Sequence, residues 1–362
     1  MHARPMLLYG QFRRDDLARL TEAAEQAACT LTRADTMEQA LAWLDDHEAH
    51  ALLCQAGDSE QLAVHTRSRA RLSKLPVLAL ASSVNDLEFV TAFSWGADDL
   101  LPLDAVRPLV SRLRALPKEP PTPPVEKRGE ALVAESEQTR RTAVARVLRN
   151  AGFAVRFAVT AEDASRFAQD PKLVLIVASE ELFPDPASII GRARESGSSA
   201  SFIVCAAPRE LKASRAAVAH LTGVIVTDGF TAPENVLFVA NELTSGRTSG
   251  RTSARIPYGT SVAFRSAGRD IDELGFSYNV SAKGLYVRTL ALPEDDEVWI
   301  ELCPPRLERR VRLVGRVAWR RPFNYNESAT VPPGFGLEII DGAGKDRALW
   351  AEGYQRLVEA VG

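Results

Sequence analysis

The chain has 362 residues, 46% of them hydrophobic and 25% charged, with a formal net charge of −3. That length suits two or three domains of ordinary size, and the composition is that of a globular protein. The charge balance excludes a global pull toward nucleic acid or an anionic membrane, and no apolar run approaches the roughly 20 residues of a spanning helix.

The apolar stretch around Met6–Tyr9 is too short for a secretory leader, so the expected compartment is the cytoplasm. Two breaks in composition then divide the chain. The proline-rich stretch 117–124 fits neither helix nor central strand and reads as a stiff spacer. The repeat Ser245–Ser253, rich in Ser and Gly, reads as a flexible one. The expected division is a first domain over 1–116, a linker over 117–128, a second domain over 129–245 and a third over 246–362.

In the first segment, Met6–Tyr9 predicts a strand, Asp15–Ala28 a helix, Cys29–Arg33 a strand and Thr36–Leu44 a helix. Ala51–Cys54 and Val77–Leu80 are short apolar runs of the kind a parallel sheet buries on both faces. Such alternation implies right-handed crossovers and a doubly wound α/β sheet. The second segment repeats the order, with strands at Ala131–Ala134, Ala154–Ala158, Leu173–Val177, Phe202–Cys205 and Val224–Val226. Its helices include Thr139–Asn150 and Ala161–Ala168.

The third segment changes character. Strands are expected at Val262–Arg265, Phe276–Asn279, Leu285–Arg288, Val298–Leu302, Arg310–Arg320 and Phe335–Ile340, then a helix near Lys345–Val358. This pattern predicts a small antiparallel β-barrel with a C-terminal helix. Along Arg310–Arg320, period two sends Val311, Leu313, Val317 and Trp319 to the core and Arg310, Arg312, Arg316 and Arg320 to the outside.

Groups able to do chemistry are sparse. Cys29, Cys54, Cys205 and Cys303 lie far apart and read as buried free thiols. His47 and His50 have no companion ligand in sequence and read as a solvated loop, so no metal site is expected. Asp15-Asp16 opens a helix, where carboxylates face the dipole. Asp98-Asp99 reads as a helix-to-strand turn and Glu180-Glu181 as a solvated loop. No nucleophile, base and metal constellation appears, and the chain is not expected to be an enzyme.

Trp95-Gly96-Ala97-Asp98-Asp99-Leu100-Leu101 resembles the GADDYL segment of response-regulator receiver domains. Residues 129–245 resemble a receiver more weakly, through element order and Asp228-Gly229-Phe230 where the family has Lys-Pro-Phe. The resemblance implies the flavodoxin-like receiver fold, with paired acids and a phosphoacceptor Asp holding Mg²⁺. Here Gly10 and Gln11 replace the first acid pair, Gln55 the Asp and Leu103 the Lys. In the second copy Glu135 survives, with Val177 at the Asp position and Asp228 at the Lys position. Both segments are therefore expected to be pseudo-receivers that contact protein partners.

From Arg247 to Tyr354 the chain resembles a PilZ domain, the small barrel that binds cyclic di-GMP. Arg251–Arg255 matches RxxxR ahead of the first strand, and Asn279–Gly284 matches Asp/Asn-x-Ser-x-x-Gly. The resemblance implies cyclic di-GMP as ligand, with no other cofactor. Arg251 and Arg255 would wrap it from a flexible segment, Asn279, Ser281 and Gly284 would form the platform, and Arg247 would be auxiliary. The residue types suit that ligand: an arginine fork binds phosphate oxygens or guanine O6 and N7, and stacks on a purine. Read without the family, the arginines are linker charges and the Asn, Ser and Gly are turn residues.

The expected function is thus a cyclic di-GMP effector in signal transduction, in which ligand orders the arginine-bearing hinge and changes domain arrangement or partner binding. The alternative is a ligand-independent interaction scaffold. Protein partners are expected, a homodimer is compatible, and neither membrane insertion nor nucleic-acid binding is.

Overall fold

A computed structural model describes residues 4–57, 59–69, 71–118, 128–207, 209–228, 233–244, 254–324 and 331–361. The proline-rich stretch from 119 onward and the whole of Ser245–Ser253, with Arg247 and Arg251, lie outside the described residues.

The first sheet contains β1 (Arg4–Tyr9), β2 (Cys29–Ala34), β3 (Ala51–Gln55), β4 (Val77–Ala81) and β5 (Asp99–Pro102), all parallel, in the order β2-β1-β3-β4-β5. Its helices are α1 (Arg14–Gln26), α2 (Met37–Asp46), α3 (Glu60–Ser68), α4 (Asp86–Ser94) and α5 (Val106–Ala115). Alternate strand residues feed two cores. Leu7, Leu52 and Val77 pack with Leu44, Leu62 and Phe89 on one side. Met6, Leu53 and Leu78 pack with Leu20 and Leu113 on the other. This period-two division is why the central strands read as unbroken apolar runs. Capping boxes at Thr36/Gln39 and Asn85/Glu88 set the starts of α2 and α4.

The second sheet contains β6 (Glu130–Ala134), β7 (Ala154–Ala158), β8 (Leu173–Ser179), β9 (Ser201–Cys205) and β10 (Val224–Thr227) in the order β10-β9-β8-β6-β7. Read from its other edge this is the order of the first sheet, so the duplication predicted from the sequence is present. Its helices are α6 (Gln138–Asn150), α7 (Ala161–Phe167), α8 (Pro186–Glu195), α9 (Leu211–Val218) and α10 (Pro233–Thr244).

In the third segment, β12 (Ser261–Ser266), β13 (Glu273–Ser281), β14 (Gly284–Arg288), β15 (Glu297–Leu302), β16 (Val311–Arg321) and β17 (Gly334–Gly342) close into an antiparallel barrel through a β13–β14 pairing. β11 (Ile256–Pro257) adds to β13 from outside the closure. The helix α11 (Gly344–Val361) sends Trp350, Tyr354 and Leu357 into the barrel core.

Two expectations are corrected. Trp319 is 37% exposed rather than core, because a register shift between Val317 and Trp319 breaks the alternation. Its ring stacks instead on Tyr286, with centroids 4.8 Å apart. Cys303 is only half-buried, beyond the end of β15, whereas the other three thiols are buried as expected.

Candidate functional site

The receiver-like positions come first. Gln55 ends β3, and its side-chain oxygen accepts the Gln11 amide at 3.0 Å. In the second sheet Ala134 pairs with Ala178, as Tyr9 pairs with Cys54 in the first, so the residue equivalent to Gln55 is Ser179. Val177 lies two residues earlier, within the strand, and the sequence register is corrected accordingly. Neither Gln55 nor Ser179 offers the carboxylate that an acyl phosphate requires. Glu135 follows β6 fully buried and accepts the Glu137 amide at 3.0 Å. Glu180 and Glu181 accept hydrogen bonds from Ser214 and Ser136.

The Asp98-Asp99 pair sits at the predicted helix-to-strand turn, but it is buried where all three segments meet. Asp98 receives Arg67 of α3 at 2.7 Å, Arg146 of α6 at 3.0 Å and the Val77 amide at 2.9 Å. Burial pushes its carboxyl up, but the Arg67 and Arg146 guanidinium groups outweigh this and hold it below the usual range. Asp99 pairs with Arg112 at 3.3 Å and accepts the Leu290 amide of the barrel at 2.9 Å. For Asp99 burial wins over those partners, and its carboxyl is raised. Arg112 continues to Glu273 and to the Leu274 carbonyl.

Aromatic contacts reinforce the same seam. Phe276 of β13 enters the first-domain core, 5.0 Å from Phe89 and 5.7 Å from Phe93. Arg288 lies over the Phe93 ring at 3.4 Å and donates to the Ala97 carbonyl.

The described residues of the two PilZ-resembling motifs lie at the β13–β14 hairpin and at the start of β11 beside it. β11 pairs with β13 so that Ile256 faces Val280 and Pro257 faces Asn279; the next step of that register puts Arg255 across from Ser281. The α11 helix pins both partners, since Tyr354 donates to the Ala254 carbonyl at 2.8 Å and Trp350 to the Ala282 carbonyl at 3.2 Å. Arg255 lines a cleft of about 1050 Å³, at the top of the roughly 300–1000 Å³ range of ligand pockets. One wall is β10 with Asn235, Phe238 and Glu242 of α10, and the other is the segment Ala254–Gly259. Arg215 of α9 and Val358 of α11 also line it. Leu243 and Ala254, which flank Ser245–Ser253 in the described chain, both line it.

Asn279, Ser281 and Gly284 do not line this cleft. Asn279 is 6% exposed, and the Ser281 hydroxyl donates to the Gly284 carbonyl at 3.1 Å across the two-residue turn. Gly284 is required by the barrel itself, because a Cβ there would collide with the Leu337 carbonyl of β17. Of the predicted ligand residues, the structure therefore brings Arg255 alone to the cleft and places the other three described ones in the adjoining hairpin. The second-domain lining, Arg215, Asp228, Phe238 and Glu242, was missed in the sequence reading. Asp228 follows the end of β10, whereas Arg215 and Phe238 lie inside α9 and α10 and carry no signal of their own.

No protein-family model matches the chain, and no curated protein matches it. Among solved structures, a response regulator of Chloroflexus aurantiacus is 24% identical over 31% of this chain and 95% of its own, with a TM-score of 0.29. A response regulator in red-light signalling of R. palustris is 20% identical over 31% and 90%, with a TM-score of 0.27. The inhibitor of motility of Bacillus subtilis is 20% identical over 30% and 52%, with a TM-score of 0.24. The receiver and PilZ resemblances thus rest on their own motifs and on the sheet topologies described above. Among the described residues no helix is long and apolar enough to cross a membrane.

Proposed function

We propose that this chain is a non-enzymatic signalling regulator that takes cyclic di-GMP at the cleft beside β11. The observation that carries the reading is the β11–β13 register, which sets Arg255 between the cleft and the Asn279–Ser281 hairpin. Arg251 and the auxiliary Arg247 belong to the segment whose flanks line that cleft. Arginine forks there suit phosphodiester oxygens. The second domain forms the opposite wall, so ligand entry would act on how it sits against β11, working against the buried Arg146–Asp98 contact that ties it to the first domain. Domain rearrangement would then expose or hide a protein-binding surface.

A specific observation favours the second reading, a ligand-independent scaffold: Asn279 is buried and Gly284 has a purely structural reason to be glycine. Calorimetry on the full chain separates the two. Binding at micromolar cyclic di-GMP, lost in Arg255→Ala, is expected of the first reading. No heat with wild type, or unchanged affinity in the variant, would refute it.

A further inference from the structure

The residue that follows β10, Asp228, occupies the place of a conserved-type lysine in the receiver resemblance, yet the structure turns it to a different use. It lines the cleft shared with the barrel rather than closing a phosphate pocket. Thr227 Oγ1 and Asn235 Nδ2 both lie 3.4 Å from its Oδ1. Neither contact uses Oδ2. Among the described residues Oδ2 has no partner and Oδ1 only these two long contacts, which leaves an acceptor-only group facing a cleft with two arginines, Arg215 and Arg255, and two aromatic rings, Phe238 and Tyr258.

From this arrangement we infer that Asp228 is a specificity residue, which reads the Watson–Crick edge of a guanine base. The inference rests on the cyclic di-GMP reading above. Guanine presents two donors side by side, N1–H and the 2-amino group, and a carboxylate can accept both. Adenine presents an acceptor at N1 beside its 6-amino donor, so the same carboxylate meets a lone pair. The arginines answer the phosphodiester charges and do not distinguish the bases in this way. Base specificity would thus come from the second domain, and charge recognition from both walls, through Arg215 of α9 and Arg255 beside β11. Asn235 and Thr227 act on Asp228 as positioning residues.

Two measurements on the full chain test this. Wild type is titrated with cyclic di-GMP, with cyclic di-AMP, and with the inosine analogue that lacks the 2-amino group. The analogue is expected to bind about 10- to 150-fold more weakly than cyclic di-GMP, the range one hydrogen bond to a charged acceptor is worth. In Asp228→Asn the amide can match adenine's donor–acceptor edge, so the preference for guanine over adenine should narrow by a similar factor. Because the readout is a ratio, a partly destabilised variant still reports on it. Arg255→Ala should weaken both dinucleotides alike. If wild type binds cyclic di-GMP but the inosine analogue binds equally well, or Asp228→Asn keeps the wild-type ratio, the assignment is overturned while the ligand reading stands. If wild type binds no dinucleotide, the ligand reading falls and this assignment with it.

Discussion

Replacing Asp98 by Asn would test whether the buried acid holds the three segments together. The carboxylate is 5% exposed and faces Arg67, 1% exposed, and Arg146, 5% exposed. An asparagine can keep its oxygen toward Arg67 and the Val77 amide, preserving the bonds at 2.7 and 2.9 Å. Its amino group then replaces the oxygen that met Arg146 at 3.0 Å, and two donors face each other. Removing one partner of a buried ion pair costs about 3–5 kcal/mol. With the Arg67 side retained, about 3 kcal/mol is expected, or roughly a hundredfold in the folding equilibrium. The assay is urea unfolding with hydrogen exchange to localise the loss, which should concentrate in β5 and α6. A double-mutant cycle with Arg146→Met should give a coupling of about 0.5–3 kcal/mol. A loss under about 1 kcal/mol, or no coupling, would refute the reasoning.

The acid side of the stability curve carries a signature of the same group. The folded-state carboxyl of Asp98 lies below its ordinary value of 3.8, so its contribution is complete above that pH and fades as pH falls through the lower folded value. Asp99, raised by burial, has the opposite sign, since its ionisation disfavours the fold as pH rises past 3.8. Acid titration of Asp98→Asn should therefore lose stability less steeply than wild type below that point, and an identical slope would count against the pairing. In the barrel, Gly284→Ala should lower the melting temperature with or without ligand, at a cost of at least the roughly 1–3 kcal/mol of overpacking, because backbone and not a side chain stands in the way. An unchanged melting temperature would contradict that close approach.

The architecture was legible in the sequence because each sheet announces itself by a different period. Unbroken runs such as Leu52–Cys54 belong to strands covered on both faces, and the alternation in Val311–Leu313 belongs to a one-sided barrel strand. What failed was context between segments. Asp98-Asp99 reads as a polar turn because nothing local reveals that Arg146, 48 residues on from Asp98, closes over it. Trp319 was misplaced because a bulge is invisible to a strict two-residue count. The Val177 assignment slipped because the end of β8 was set two residues short of Ser179. At the cleft, Arg255 was found from its motif, whereas Asp228 and Phe238 were not, since a wall contributed by a neighbouring domain leaves no motif.

The placement of Phe276 has a practical consequence for dissecting this protein. Cutting at the two composition breaks would yield three tidy fragments, but the barrel fragment would carry Phe276 and Arg288 without the Phe89 and Phe93 rings that shelter them. The first fragment would expose the matching apolar notch and strand Arg112 beside Asp99 without Glu273. Such pieces would be prone to stick to one another or to themselves. The natural two-part division therefore joins residues 1–116 with 254–361, nearly at opposite ends of the chain, and treats 129–244 as the insert. Deleting that insert would still uncover Asp98, over which Arg146 of α6 closes, so the full chain is the unit to express.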